Sequence, residues 1–165
     1  MSVSSITETS QYLTCKLEGE VFALDIAKVR EVLDFTLIAK VPQTPEFMLG
    51  VINLRGTVVP VVDMRLKFAM TRTETTVNTC IIIVEIEIDG ENTVLGALVD
   101  SVEEVMDLDP DQIEPAPRIG TRLNTKFIKG MGKRDNHFII ILDIDKVFSV
   151  DDLVMVRNVG EESAA

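Results

Sequence analysis

Alternation of apolar and polar positions marks much of this chain as strand. Between Gln11 and Leu17 the apolar residues Leu13, Cys15 and Leu17 recur at every second place, and between Val21 and Ile26 so do Phe22, Leu24 and Ile26. Successive side chains of a strand point to opposite faces, so a period of two gives one buried face. Glu18-Gly19-Glu20 separates the two runs as a turn, and together they predict a hairpin. From Lys28 to Leu33 the pattern is two-valued, because Val29, Val32 and Leu33 fit a helical face as well as a strand. Val41-Pro42-Gln43-Thr44-Pro45 predicts a rigid extended loop, since proline steers the residue before it out of the helical region. Pro45 then predicts a short helical turn over Glu46 to Leu49.

Farther on, Cys80 to Ile88 predicts a long strand, continuous through Ile81-Ile82-Ile83-Val84 and alternating after Glu85. Asp89-Gly90 predicts a tight turn, with Asn92 to Val99 as the returning strand. Val102 to Leu108 is a further extended run, Pro110 to Pro117 a proline-punctuated loop, and Phe138 to Leu142 the last core strand. Short helical segments are expected in Arg65 to Met70 and in Asp145 to Val156.

The most sharply bounded stretch runs from Gly50 to Arg65. An apolar lead-in meets the polar corner Asn53-Leu54-Arg55-Gly56, and four valines then fill the places around Pro60 before Asp63 stops the run. Branched Cβ atoms suit a pleated, half-buried surface, so this predicts a strand buried on both faces. Pro60 has no N–H for a ladder, so the strand is an edge there or carries a bulge. Gly56 permits a tight turn into it. Arg55, alone between two apolar runs, is either a solvated loop arginine or a guanidinium fork held ready for a partner.

The two halves of the chain resemble each other. An offset of 80 carries Phe47, Gly50, Val61, Asp63 and Phe68 onto Phe127, Gly130, Ile141, Asp143 and Phe148. An offset of 73 carries Val21, Ala23, Ile26, Val29, Glu31, Val32, Asp34 and Pro42 onto Val94, Gly96, Val99, Val102, Glu104, Val105, Asp107 and Pro115. The difference fits an insertion between Pro115 and Phe127. Repeats rich in short strands and turns predict a mainly β fold: two small packed β-barrels built alike by an internal duplication, with a few short helices. Neither barrel buries much core alone, so they pack together, and the groove between them is a natural binding site. The expected organisation is a flexible tail over 1–10, a first barrel over about 11–70, a linker over 71–78 and a second barrel over about 79–150. Strand exchange between the barrels would move that boundary, and 151–165 is expected to be a C-terminal short helix or tail. Asn53-Leu54-Arg55-Gly56 corresponds to Lys133-Arg134-Asp135-Asn136, so the lone arginine corner belongs to the first half only. Shared positions report the fold; unshared ones, Arg55 above all, are candidates for function.

Composition removes several function classes. The chain has 165 residues, 46% of them apolar, and a formal charge of -11, which argues against a nucleic-acid footprint and against docking on anionic lipid. It has no tryptophan and one tyrosine, so no aromatic platform for single strands is expected. No apolar run is long enough to span a bilayer, and the first ten residues lack the features of a signal peptide. Cys15 and Cys80, each within an apolar run, are expected to be small buried hydrophobes of a cytoplasmic protein.

Catalytic constellations are missing. His137 is the single histidine, so neither a zinc cluster nor a facial triad can be assembled from imidazoles. Gly130-Met131-Gly132 lacks the third glycine and the helix of a phosphate loop. Asp63 and Asp143 end equivalent strands, which favours strand termination over an acid and base pair. No catalytic, metal-binding or cofactor-binding residue is expected. An acidic, metal-assisted hydrolase using Asp63, Asp143 and Glu104 is the alternative of another class.

At Gly50-Val51-Ile52-Asn53-Leu54-Arg55-Gly56, followed by Val59-Pro60-Val61-Val62-Asp63-Met64-Arg65, the chain resembles the CheW family of chemotaxis coupling proteins. The likeness covers about residues 11 to 150. It includes Phe22-Ala23-Leu24-Asp25-Ile26, Val29-Arg30-Glu31-Val32, Gly96-Ala97-Leu98-Val99-Asp100 and Phe127-Ile128-Lys129-Gly130-Met131-Gly132. Met64 departs from the family's usual leucine. The resemblance implies that the barrels are five-stranded and SH3-like and that the protein is a non-enzymatic adaptor. It would join the cytoplasmic tips of methyl-accepting chemoreceptors to the regulatory domain of the histidine kinase CheA. It would be cytoplasmic, monomeric alone and assembled in membrane-associated receptor arrays. Positions matching Val29, Glu31, Gly50, Arg55 and Val105 are those it ties to coupling, and Asn53 and Gly56, which frame Arg55, join that protein-binding set. An ion pair between Glu31 and Arg55 is implied as well. The alternative within the fold is a regulatory module that binds a kinase or coupling protein without chemoreceptors.

Overall fold

The structure, a computed structural model, describes residues 9–88, 90–115, 127–134 and 137–147. The expectations for the first eight residues, for Asp89, Asp135, Asn136 and Phe148, and for 151–165 lie outside the described residues.

Antiparallel hairpins and their partner strands account for most of the described residues. The elements are β1 (Ser10–Leu17), β2 (Glu20–Asp25), a 3-10 turn (Ile26–Lys28), β3 (Val29–Asp34), β4 (Met48–Leu54), β5 (Thr57–Asp63) and α1 (Met64–Lys67). They continue as β6 (Cys80–Ile88), β7 (Glu91–Val99), β8 (Ser101–Leu108), a 3-10 turn (Pro110–Gln112), β9 (Ile113–Glu114), β10 (Ile128–Arg134), β11 (His137–Leu142) and α2 (Ile144–Val147). Lys28 to Leu33 is thus resolved as the end of a turn followed by a strand. The helical turn expected over Glu46 to Leu49 shrinks to one reverse turn, in which the Met48 N–H donates to the Pro45 carbonyl at 2.9 Å. β4 begins at Met48 because its ladder to β5 takes over there, with a register shift between Met48 and Gly50.

The strands form a six-stranded sheet, in the order β8-β1-β2-β11-β10-β9, and a five-stranded sheet, in the order β3-β6-β7-β5-β4. The two-residue β9 is an addition to one of two otherwise equivalent five-stranded units. The duplication is visible in the register. Ala23 of β2 pairs in parallel with Ile141 of β11, and Gly96 of β7 pairs in parallel with Val61 of β5. The two pairs are equivalent, since the offset of 73 carries Ala23 onto Gly96 and the offset of 80 carries Val61 onto Ile141. Phe47 O accepts from Asp63 N at 2.8 Å, and Phe127 O accepts from Asp143 N at the same distance.

Each half, however, gives its first hairpin to the other. β1 and β2 lie with β8, β11 and β10, whereas β6 and β7 lie with β3, β5 and β4. The segment 71–78 therefore joins α1 to β6 within one sheet, and the chain changes sheet at Ile26–Lys28 and at Asp100. The two hairpins carry the same inward pattern, so the repeat alone does not say which partner each one meets.

β5 is an interior strand, yet Pro60 is accommodated. Val51, opposite Pro60, exchanges its N–H and carbonyl with Ala39 on its other side, both at 2.9 Å. The pair is therefore a non-hydrogen-bonded one. The parallel ladder to β7 starts only at Val61, one residue later.

Three apolar clusters hold the molecule. One fills the six-stranded unit around Tyr12, Ala23, Ile139 and Ile141, and its counterpart fills the five-stranded unit around Val61, Ile81, Ile83 and Leu98. The largest, including Leu13, Phe22, Met48, Phe68, Ile82 and Leu142, joins the two sheets. Phe22 and Phe68 stack across it with centroids 6.0 Å apart. Cys15 is buried there, and burial pushes its thiol up to about 12. Cys80, expected to be buried, is only half-buried because β6 begins at that residue.

Candidate functional site

The β4–β5 connection is a two-residue hairpin loop, Arg55 and Gly56, between the paired residues Leu54 and Thr57. Both loop residues have positive φ, 51° and 86°. That is the type I′ geometry whose twist matches the flanking strands. It suits glycine at the second place; an arginine at the first place is unusual and is supported from both sides. Asn53 Oδ1 accepts the Gly56 N–H at 2.7 Å, and the Arg55 side chain is held by Glu31.

Arg55 donates from Nη1 to Glu31 Oε1 at 3.3 Å and from Nη2 to Glu31 Oε2. A forked pair of this kind fixes orientation as well as distance. The hydrogen bond from Arg55 lowers the Glu31 carboxyl below the usual glutamate range, and Glu31 in turn raises the guanidinium. The Arg55 side chain remains 70% exposed, against 30% for Glu31. The carboxylate is the inner member, and the guanidinium presents its other face to solvent. β3 and β4 are the two outer strands of the five-stranded sheet, so the pair ties Glu31 of one to the loop that follows the other. The pair itself lines a cavity of about 440 Å³ together with Leu54, Val59, Ile83 and Val94.

The other expected residues take separate places. Val29 opens β3, half-buried, and packs on the cluster between the sheets. Gly50 is buried on β4, with φ +150°, and an added Cβ would fall 2.0 Å from the Ala39 carbonyl oxygen. It is the glycine that lets residues 38–39 lie against β4, where an apolar groove runs past Leu37, Ile38 and Val51. Val105 lies in the other sheet, on its outer strand β8, 49% exposed; its repeat counterpart Val32 on β3 is 40% exposed. The structure thus gathers Glu31, Asn53, Arg55 and Gly56 into one corner and leaves Val29, Gly50 and Val105 outside it.

The residues of the hydrolase alternative are not gathered. Asp63 is fully buried and already accepts from Arg65 N, Thr73 N and Thr73 Oγ1, capping α1 and pinning the linker. Asp143 follows the equivalent strand of the other sheet, which ends at Leu142, and Glu104 lies exposed on β8. Among the described residues no group of three acidic, histidine or cysteine side chains could hold a metal ion. His137 is exposed at the start of β11.

Two charged clusters escaped the sequence reading. Arg65 bonds Asp100 through Nε at 2.7 Å and through Nη2, with Glu18 3.7 Å away. Lys28 lies 2.7 Å from Asp145. The visible signal was that the offset of 80 turns Arg65 into Asp145, a reversal of charge at a repeated position.

Comparison with known proteins places this geometry. A family model described as a CheW-like domain matches residues 11–152. A chemotaxis protein CheW of Klebsiella aerogenes is 34% identical, over 94% of this chain and 91% of its own. A probable chemotaxis protein CheW of Rhizobium etli is 30% identical, over 90% and 94% respectively. Among solved structures, the scaffolding protein TtCheW of Thermoanaerobacter tengcongensis superposes with a TM-score of 0.76 at 38% identity, covering 87% of this chain and 94% of that one.

Proposed function

The chain belongs to the CheW-like family of chemotaxis adaptors, and from that premise we propose that it links the cytoplasmic tip of a methyl-accepting chemoreceptor to the histidine kinase CheA. It does so by binding alone, without turning over a substrate. The observation that carries this reading is the exposed, forked Glu31–Arg55 pair, whose counterparts under the repeat offsets are two carboxylate residues, Glu104 and Asp135. A duplicated scaffold needs its second half to repeat only what the fold requires. A fixed guanidinium added to one half serves recognition, where charge placement sets register and rejects wrong partners. Exposed apolar side chains elsewhere on the surface, at Val32 of β3 and at Leu37, suit the face of an amphipathic receptor helix.

Val29, Glu31, Gly50, Asn53, Arg55, Gly56 and Val105 are the residues we assign to receptor and kinase coupling. Because they lie on both sheets, two partners can be engaged at once. The protein works in the cytoplasm at membrane-bound arrays; among the described residues no helix is long and apolar enough to cross a membrane. Co-sedimentation with receptor fragments and kinase, scored by phosphorylation rate, tests the reading. Arg55→Ala is expected to keep the wild-type circular dichroism spectrum and lose receptor coupling. Wild-type capture of receptor fragments by that variant refutes the assignment of Arg55, and kinase binding without any receptor binding by the wild type favours the regulatory module.

A further inference from the structure

The chain changes sheet at two places, the turn Ile26–Lys28 between β2 and β3 and Asp100 between β7 and β8. Turning one sheet against the other must bend the backbone at both. Each place carries one member of an ion pair whose other member sits in the helical turn that follows β5 or β11. At the first, Lys28 is joined to Asp145 of α2; at the second, Asp100 is joined to Arg65 of α1. The offset of 80 carries Arg65 onto Asp145, and the offset of 73 carries Ala27, the neighbour of Lys28, onto Asp100. The two joints thus share one repeated position, Arg65 and Asp145, with opposite charge, and their other members, Lys28 and Asp100, fall one residue apart in the repeat.

The carboxylate of each joint also reaches a hairpin. Asp100 Oδ2 accepts the Glu18 N–H, and Asp145 Oδ1 accepts the Glu87 N–H, both at 2.9 Å. Glu18 belongs to the six-stranded side and Arg65 to the five-stranded side, so Asp100 bridges the two. Asp145 bridges Glu87 of the five-stranded sheet to the end of the six-stranded one in the same manner. Exposure is 18% and 20% for Arg65 and Asp100, and 33% and 28% for Lys28 and Asp145. The hydrogen bond that each donates to its carboxylate partner raises both the Lys28 amine and the Arg65 guanidinium. The apolar cluster between the sheets pulls them together without direction, whereas charge-assisted hydrogen bonds are directional.

We propose that these two joints lock the angle between the sheets, and with it the surface that two partners read across both, so that Lys28, Asp145, Arg65 and Asp100 are positioning residues for coupling. The coupling part rests on the adaptor reading; the angle does not.

Residual dipolar couplings of backbone amides, fitted for each sheet, measure the angle directly. Lys28→Met and Arg65→Met keep the apolar stems and remove the charges. Asp100→Asn and Asp145→Asn keep an acceptor for the hairpin N–H groups and serve should the first pair fail to fold. The expected result is that each sheet fits its own wild-type geometry while their relative orientation changes, and that receptor-stimulated phosphorylation falls about tenfold. Arg55→Ala should lose coupling with the orientation unchanged. Unaltered orientation in the joint variants overturns the proposal, and altered orientation with an undiminished rate overturns its link to coupling. A wild-type protein that fails to stimulate the kinase overturns the adaptor reading instead, and leaves the joints to be judged by orientation.

Discussion

Gly50→Ala separates backbone freedom from close approach at the edge of the candidate site. In the wild type the Gly50 backbone has φ +150°, and a Cβ there would lie 2.0 Å from the carbonyl oxygen and 2.7 Å from the carbonyl carbon of Ala39. Those are main-chain atoms, so no side-chain rotation relieves the overlap and the segment carrying Ala39 must move off β4. The two hydrogen bonds between Ala39 and Val51 go with it. At about 1 kcal/mol net each, their loss costs about 2 kcal/mol. Forcing an L-residue into this backbone region adds about 1 kcal/mol. A total near 3 kcal/mol lowers the melting temperature by roughly 6–12 °C for a chain of this size. Gly19→Ala is the matched control, because Gly19 has φ +84° and open space around its would-be Cβ. That variant incurs the conformational cost alone, about 1 kcal/mol. Thermal unfolding followed by far-ultraviolet circular dichroism gives the two shifts. Hydrogen exchange at the Ala39 and Val51 amides should show protection lost only in Gly50→Ala. Equal melting shifts in the two variants, with Val51 still protected, would refute the steric argument and return Gly50 to a direct role in partner contact.

Three further outcomes follow from other parts of the structure. Glu31 has its carboxyl lowered by Arg55, so the pair's contribution is present above the ordinary glutamate value of 4.5 and is lost as pH falls through the lower folded value. Carboxyl carbon NMR should show Glu31 titrating below 4.5 in the wild type and moving upward in Arg55→Ala; no movement would contradict the pair in solution. Thr93 Oγ1 is buried without a hydrogen-bond partner among the described residues, so Thr93→Val should raise stability by about 1 kcal/mol in urea unfolding, and a loss of that size would reveal a partner. Cys15, buried and with its thiol pushed up to about 12, should resist alkylation at pH 8 in the native state while half-buried Cys80 is modified, as peptide mass mapping would report; equal labelling would show that the inter-sheet core opens readily.

Local chemistry decided a good deal in advance. A period of two at Leu13, Cys15 and Leu17 makes a strand wherever that segment ends up, and Glu18-Gly19 and Arg55-Gly56 make tight turns because a glycine follows at the place where φ is positive. The offsets of 80 and 73 were enough to pair Val61 with Ile141 and Ala23 with Gly96 as equivalents, and the arginine corner stood out because only one repeat carries it. Tertiary structure alone chose which hairpin joins which sheet, since β1–β2 and β6–β7 offer the same alternating face and either would satisfy the same neighbours. The same holds for the charges. In a chain with 27 acidic residues, nothing in the local pattern says that Arg65 meets Asp100 or that Lys28 meets Asp145, and Glu31 with Arg55 came from family resemblance. Side-chain periodicity is a property of a few neighbouring residues. Ion pairs across strands depend on how the sheets close and pack, a global balance of burial and chain connection that no short stretch contains.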